Sequence, residues 1–157
     1  MLTDEHSEGA VALTEEQTEG RGRLGRSWHS PPGVSLLFST LLEPPVATAR
    51  LPELTVVAGE AIREAIAHVT GLDPEIKLPN DILIEGRKTA GILAEARDGR
   101  VVLGIGVNVN LPENVLPEPT ATSLLVEKGA EIDRAELLVE ILDRLEHHYD
   151  RWTATAT

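Results

Sequence analysis

Three arginines and three glycines fall within seven positions at Gly20-Arg21-Gly22-Arg23-Leu24-Gly25-Arg26, with Ser27-Trp28 directly after, in a chain whose formal net charge is −12. Arginine presents planar donors that match carboxylate and phosphate oxygens, and glycine lets the backbone approach a ligand closely. An acidic protein repels small anions unless part of it is locally positive. The segment therefore reads as an anion cradle, and Trp28 offers a stacking surface for a purine or an arginine. A solvated basic loop closing a hairpin is the structural alternative.

A second group is Lys77-Leu78-Pro79-Asn80-Asp81. A lysine at a strand end followed by a proline-fixed turn presents an ammonium, an amide and a carboxylate together, which suits a phosphate and its magnesium; Pro-Asn-Asp is also ordinary turn chemistry. A third is Gly91-Ile92-Leu93 with Gly104-Ile105-Gly106-Val107-Asn108-Val109-Asn110. Glycine inside a strand marks a bulge, close packing or a ligand lying against the sheet.

The elements that must position these residues follow from periodicity and turn signals. Apolar runs at 10–14 and 34–42 flank the glycine–arginine loop as two strands. Leu54, Val57, Ala58, Ala61, Ile62, Ala65 and Ile66 recur at helical spacing and predict a helix over 52–69. Ile76-Lys77, Ile82 to Ile84, Thr89 to Ala96 and Val101 to Val109 read as consecutive antiparallel strands, with turns at Glu85-Gly86 and Asp98-Gly99. A proline-rich loop runs from Pro112 to Pro119. A second helix starts near Asp133, which caps it with Glu136 three residues on, and buries Leu137, Leu138, Ile141, Leu142 and Leu145. Without strict alternation of strand and helix, the expected class is α+β, a mixed, largely antiparallel sheet with helices packed on it.

Composition narrows the functions. The 157 residues fit one domain, and with 3% aromatics the core should be built from Leu, Val, Ile and Ala without aromatic anchors. The absence of cysteine excludes disulfides, thiolate metal sites and a thiol nucleophile. No apolar run approaches the roughly 20 residues of a membrane span and no signal peptide is evident, so a cytoplasmic protein is expected. Fourteen Lys and Arg against 26 Asp and Glu argue against nucleic acid as a partner. The five histidines, His147 and His148 among them, read as solvated rather than metal-ligating.

Taken in order, Gly20 to Trp28, Lys77 to Asp81, Lys88-Thr89-Ala90-Gly91-Ile92-Leu93 with Glu95, and Gly104 to Asn108 resemble the catalytic domain of biotin protein ligases over residues 10 to 152. The resemblance implies a fold like that of class II aminoacyl-tRNA synthetases in a single domain spanning 1–157. It implies an ATP- and magnesium-dependent enzyme that makes biotinyl-5'-adenylate and passes biotin to a lysine of the biotin carboxyl carrier protein of a biotin-dependent carboxylase such as acetyl-CoA carboxylase. By the same resemblance Lys77 and Arg23 are catalytic, and Gln17, Gly20, Arg21, Gly22, Arg23, Lys77, Gly91 and Gly104 bind biotin or its adenylate. Arg26, Trp28, Asn80, Asp81 and Asn108 bind ATP, with Asp81 also toward magnesium, while Lys88 is a lesser candidate, read as an exposed strand residue.

Two departures qualify the resemblance. Leu78 stands where the family has Trp, and the family's Ser/Thr-Thr-Asn segment, expected before residue 10, has no counterpart in Met1 to Gly9. On that comparison the chain is N-terminally truncated and lacks both a DNA-binding domain and the small C-terminal β-barrel. A lost strand would expose a sheet edge and favour a homodimer. The alternatives are a non-catalytic module that binds biotin or its adenylate, and a lipoate or octanoyl transferase.

Overall fold

The structure is a computed structural model, described here for residue 2, residues 5–16 and residues 30–155. Gln17, Gly20, Arg21, Gly22, Arg23, Arg26 and Trp28 lie outside the described residues.

Among the described residues six strands form one sheet: β1 (Val11–Thr14), β2 (Ser35–Leu42), β3 (Glu75–Lys77), β4 (Asp81–Ile84), β5 (Arg87–Arg97) and β6 (Arg100–Asn108), in the spatial order β1-β2-β6-β5-β4-β3. Every named pair is antiparallel. An isolated parallel bridge joins Lys88 to Ala121, so among the described residues the largely antiparallel sheet expected is antiparallel in every named strand pair, with a parallel contact at its margin.

The tight turns follow their residues. Glu85 and Gly86 both take positive φ (51° and 78°), as do Asp98 and Gly99 (53° and 79°). Positive φ at both central residues is what a two-residue hairpin matching strand twist requires.

Two long helices, α1 (Glu53–Thr70) and α3 (Arg134–Ala154), lie side by side on one face of the sheet, with the five-residue α2 (Leu124–Lys128) between them in sequence. α1 ends at Gly71, left-handed at φ 76°, and α3 begins at Asp133, whose carboxylate accepts from the Ala135 and Glu136 amides. Neither α2 nor the short 3₁₀ turns at Thr48–Arg50 and Glu113–Val115 is expected from periodicity.

The core joins Leu54, Ala58, Ala61, Ile62, Ala65 and Ile66 of α1 to Leu137, Ile141 and Leu145 of α3. Against them pack Leu36, Phe38, Ile82, Ala90, Ile92, Val101, Leu103, Ile105 and Val107 from the strands. Phe38 and Trp152 also enter this core, which corrects the expectation of a core without aromatic anchors. Trp152 donates from Nε1 to Glu53 Oε2 at 2.7 Å and lies under the Arg50 guanidinium, fastening α3 to the start of α1. Among the described residues no helix is long and apolar enough to cross a membrane.

Candidate functional site

Successive strand residues point to opposite faces. On β6, Val101, Leu103, Ile105 and Val107 enter the core, so Val102, Gly104, Gly106 and Asn108 belong to the other face. The register carries this assignment outward: Gly106 sits opposite Gly91 of β5 and Leu37 of β2, and Gly104 opposite Leu93 and Ser39. Gly91 in turn faces Asp81 of β4, which faces Lys77 of β3. Lys77, Asp81, Gly91, Gly106, Leu37 and Thr14 thus form one line across all six strands. With strands about 4.8 Å apart, Lys77 and Gly106 stand on the order of 14 Å from each other along it.

The glycines form the floor of this face. A Cβ at Gly104 would come within 3.6 Å of the Leu93 carbonyl and 3.8 Å of Ser39 Oγ, both ordinary contacts. The backbone there does not exclude a side chain, so the glycine leaves room above the strand.

Lys77, Asn80, Asp81, Gly91, Gly104 and Asn108 are brought together by two structural units, the β3–β4 turn and the β5–β6 ladder. Lys77 is exposed at the end of β3 and Leu78 is 68% exposed. The turn is stitched to β5: the Ile92 amide donates to the Asn80 carbonyl at 3.0 Å, and Asn80 Nδ2 donates to the Ile92 carbonyl at 3.1 Å. The Asn80 amide nitrogen is thereby committed to the scaffold.

Asp81 and Lys88 pair at 3.0 Å across β4 and β5. Lys88 is half-buried and ion-paired, which corrects its reading as an exposed strand residue. One Asp81 oxygen is held by that lysine, and among the described residues no group of three His, Cys, Asp or Glu side chains could hold a metal. These residues do not build a resident metal centre; a magnesium here would have to bring most of its oxygen ligands with it on phosphates.

Asn108, 3% exposed, closes β6 beside Ser35 of β2. Its Nδ2 donates to the Thr122 carbonyl at 3.1 Å, Thr89 Oγ1 donates to the Asn108 backbone carbonyl at 3.4 Å, and among the described residues the buried Asn108 Oδ1 has no hydrogen-bond partner. Nearby, Asn110 clamps the Ile132 backbone with both amide atoms at 2.9 Å, so the two asparagines of the Asn-Val-Asn run divide between an unsatisfied acceptor and a structural brace.

Sequence reasoning missed Thr122, Glu127 and the Lys88–Asp81 pair. The cluster Thr120-Ala121-Thr122-Ser123, directly after the proline-rich loop, was the available signal. His148 is also more than solvated: its Nε2 lies 3.0 Å from Glu64 Oε2 between α1 and α3. That hydrogen bond, with Arg144 behind it, holds the Glu64 carboxyl below the usual carboxylate range against the opposing effect of burial. Tyr149 is pushed well above the ordinary phenol range, first by burial and then by its hydrogen bond to Glu8. Both belong to the helical layer, away from the glycine floor.

An antiparallel six-stranded sheet packed by helices is a mixed α+β arrangement shared with the biotin protein ligases, which have a fold like that of class II aminoacyl-tRNA synthetases. Residues 1–111 match the model of the Biotin/lipoate A/B protein ligase family, and the chain belongs to that family. It is 41% identical over 150 residues to the Bifunctional ligase/repressor BirA of Bacillus subtilis, covering 90% of this chain and 46% of that one. It is 38% identical over 152 residues to the Biotin--[acetyl-CoA-carboxylase] ligase of Mycobacterium tuberculosis, covering 92% of this chain and 56% of that one. The chain thus spans about half the length of these curated relatives. The biotin protein ligase from Aquifex aeolicus, solved in complex with biotin and ATP, superposes with a TM-score of 0.87 at 35% identity, over 96% of this chain and 65% of that one.

Proposed function

We propose that this chain carries the catalytic face of an ATP-dependent biotin protein ligase, which forms biotinyl-5'-adenylate and transfers biotin to a lysine of a biotin carboxyl carrier domain. The observation that carries the reading is the convergence of Lys77, Asp81, Gly91, Gly104 and Asn108 on the one face of the sheet that the helices leave free. Family membership and relatives named for biotin ligation support it.

Attack of a carboxylate on an α-phosphate brings two anions together, so the site must offset their repulsion while holding them in line. Lys77, exposed at the strand end, supplies a mobile positive charge at one limit of the glycine floor. The floor accepts the fused ring system of biotin, with Gly91 and Gly104 admitting it against the backbone. Asp81, held by Lys88, faces the nucleotide with Asn80, and Asn108 meets ATP at the end of β6. Magnesium, arriving with ATP, would neutralise phosphate charge near Asp81.

Gln17, Gly20, Arg21, Gly22 and Arg23 are proposed as partners of biotin and the mixed anhydride, with Arg23 catalytic, and Arg26 and Trp28 as partners of phosphate and adenine. These roles rest on residue chemistry and the family resemblance. A single domain over 1–157, a cytoplasmic setting, action without DNA, and homodimer formation belong to the same reading.

The test is pyrophosphate exchange with biotin, ATP and magnesium, run beside lipoate. The ligase reading expects exchange that needs biotin and is not supported by lipoate. Binding of biotin without exchange would identify a non-catalytic module instead, and exchange with lipoate would move the chain to the lipoate branch of the family.

A further inference from the structure

The orientation of the Asn108 amide is fixed by chemistry. The Thr122 carbonyl can only accept, so Nδ2 must turn toward it, at 3.1 Å, and Oδ1 must face the other way. That oxygen is buried without a partner among the described residues, a costly state that calls for a partner supplied by an ordered water, an ion or a ligand. It can receive a hydrogen-bond donor; a phosphate oxygen would repel it.

What holds Thr122 is equally specific. Its amide donates to the Lys88 carbonyl at 2.8 Å, and the Lys88 amide donates to the Thr120 carbonyl at 2.8 Å, so residues 120–122 lie as a short extra strand beside the start of β5. The Thr122 hydroxyl donates to Glu127 Oε1 at 2.7 Å, and the same oxygen takes Arg87 NH2 at 2.7 Å. Glu127 is only 12% exposed in its side chain and sits on α2, which Ser123 caps by accepting from the Val126 amide. One carboxylate therefore ties α2, the extra strand and the first residue of β5 together, next to Lys88 and its partner Asp81.

We infer that Glu127 is a positioning residue for the nucleotide: by fixing Thr122 it turns Asn108 Oδ1 toward the ligand as an acceptor for a donor group presented by bound ATP, a ribose hydroxyl or a water on its magnesium. The inference rests on the reading of this face as the ATP site. Glu127 touches no reacting atom; it acts through Thr122 and Asn108.

The experiment is calorimetric binding of ATP with magnesium, and separately of biotin, to the wild-type chain, Glu127→Ala, Asn108→Ala and the double variant. Each single variant weakens ATP about tenfold, the loss expected for one hydrogen bond in a buried site. The double variant is no weaker than Asn108→Ala alone, because the two act in series, and biotin affinity stays within about twofold. Removing magnesium separates the donors: an Asn108→Ala effect that persists assigns a ribose hydroxyl, and one that vanishes assigns metal-bound water.

Thr122→Val removes only the hydroxyl, keeps the Glu127–Arg87 pair, and provides the same readout should Glu127→Ala fold poorly. In both variants the Asn108 side-chain amide resonances broaden or shift in the free protein. Wild-type ATP affinity in Glu127→Ala and Thr122→Val, or a Glu127→Ala loss undiminished in the Asn108→Ala background, overturns the inference. A wild-type chain that binds ATP but performs no biotin-dependent exchange removes the ligase reading alone. A wild-type chain that binds no ATP removes both.

Discussion

Along β6 the side chains of Val101, Leu103, Ile105 and Val107 pack beneath the helices, while Val102, Gly104, Gly106 and Asn108 alternate with them and face the other way. The same strand serves two faces by different rules. On the helical face every position is filled with branched apolar carbon, because dense packing there supplies the stability of the sheet. On the other, two glycines withhold side chains and an asparagine keeps an acceptor unsatisfied. Leu37 and Leu41 are buried on this second face yet stand outside the core cluster. On the proposed reading, stability and ligand chemistry are separated by the two-residue period of a strand, and substitutions on the two faces should fail in different ways.

The largest expected contrast comes from Lys77→Ala. Lys77 is exposed, so the melting temperature should hardly move, whereas biotin-dependent pyrophosphate exchange falls by a factor on the order of 100 or more, the scale of losing a charge-stabilising group. Near-normal exchange would remove Lys77 from the chemistry. Next is Leu103→Ala, on the helical face and 0% exposed, which should lower unfolding free energy by about 2–5 kcal/mol in urea denaturation. Its folded fraction should keep wild-type affinity for biotin and ATP.

Gly104→Ala sharpens the comparison from the other side. Its methyl group fits the sheet at ordinary contact distances, so denaturation should shift by less than about 1 kcal/mol, while biotin affinity falls roughly tenfold, about 1.4 kcal/mol. A variant that lost stability but bound biotin normally would place biotin elsewhere.

The smallest effect belongs to the helical layer. The Glu64 carboxyl is held low by His148 and then Arg144, so its contribution is present above the unfolded value of 4.5 and disappears as pH falls through the lower folded value. Glu64→Gln should therefore be less stable than wild type by at most about 1 kcal/mol near neutrality. The difference should close as pH falls below 4.5 and through the lower folded value, read from paired denaturation curves. A difference that stayed constant down to pH 2 would mean the ion pair is not its source.

Much of this division is legible in the order of the residues alone. The hairpin turns are written in Glu85-Gly86 and Asp98-Gly99, and α1 in its helical apolar spacing, because local backbone preference and one-sided burial both act over a few residues. The glycine floor is legible as residues but only partly as a surface: that Gly91 lies opposite Gly106 follows from the register set by the Asp98-Gly99 turn, whereas the pairing of Gly106 with Leu37 joins strands far apart in sequence. Lys88–Asp81 and Glu127–Thr122 are close in sequence yet stay hidden, the first because a register shift between Ile82 and Leu83 is not announced by the turn residues, the second because it depends on a helix of five residues. Lys88 carries no pattern that distinguishes an exposed lysine from a paired one. Five-residue α2 is too short for periodicity and is held by Ser123 and Glu127 rather than by an apolar stripe. The glycine–arginine segment, the most conspicuous feature of the sequence, lies outside the described residues, so its role rests on sequence alone.

The central claim is that one face of the sheet is for folding and the other for biotin and ATP. Amide chemical-shift mapping on isotopically labelled protein tests it most directly. Adding biotin and then ATP with magnesium should shift Lys77, Asp81, Gly91, Gly104, Gly106 and Asn108 while leaving the exposed helical positions Val56 and Val139 in place. Shifts confined to α1 and α3, or none on the glycine strands at saturating ligand, would contradict the account.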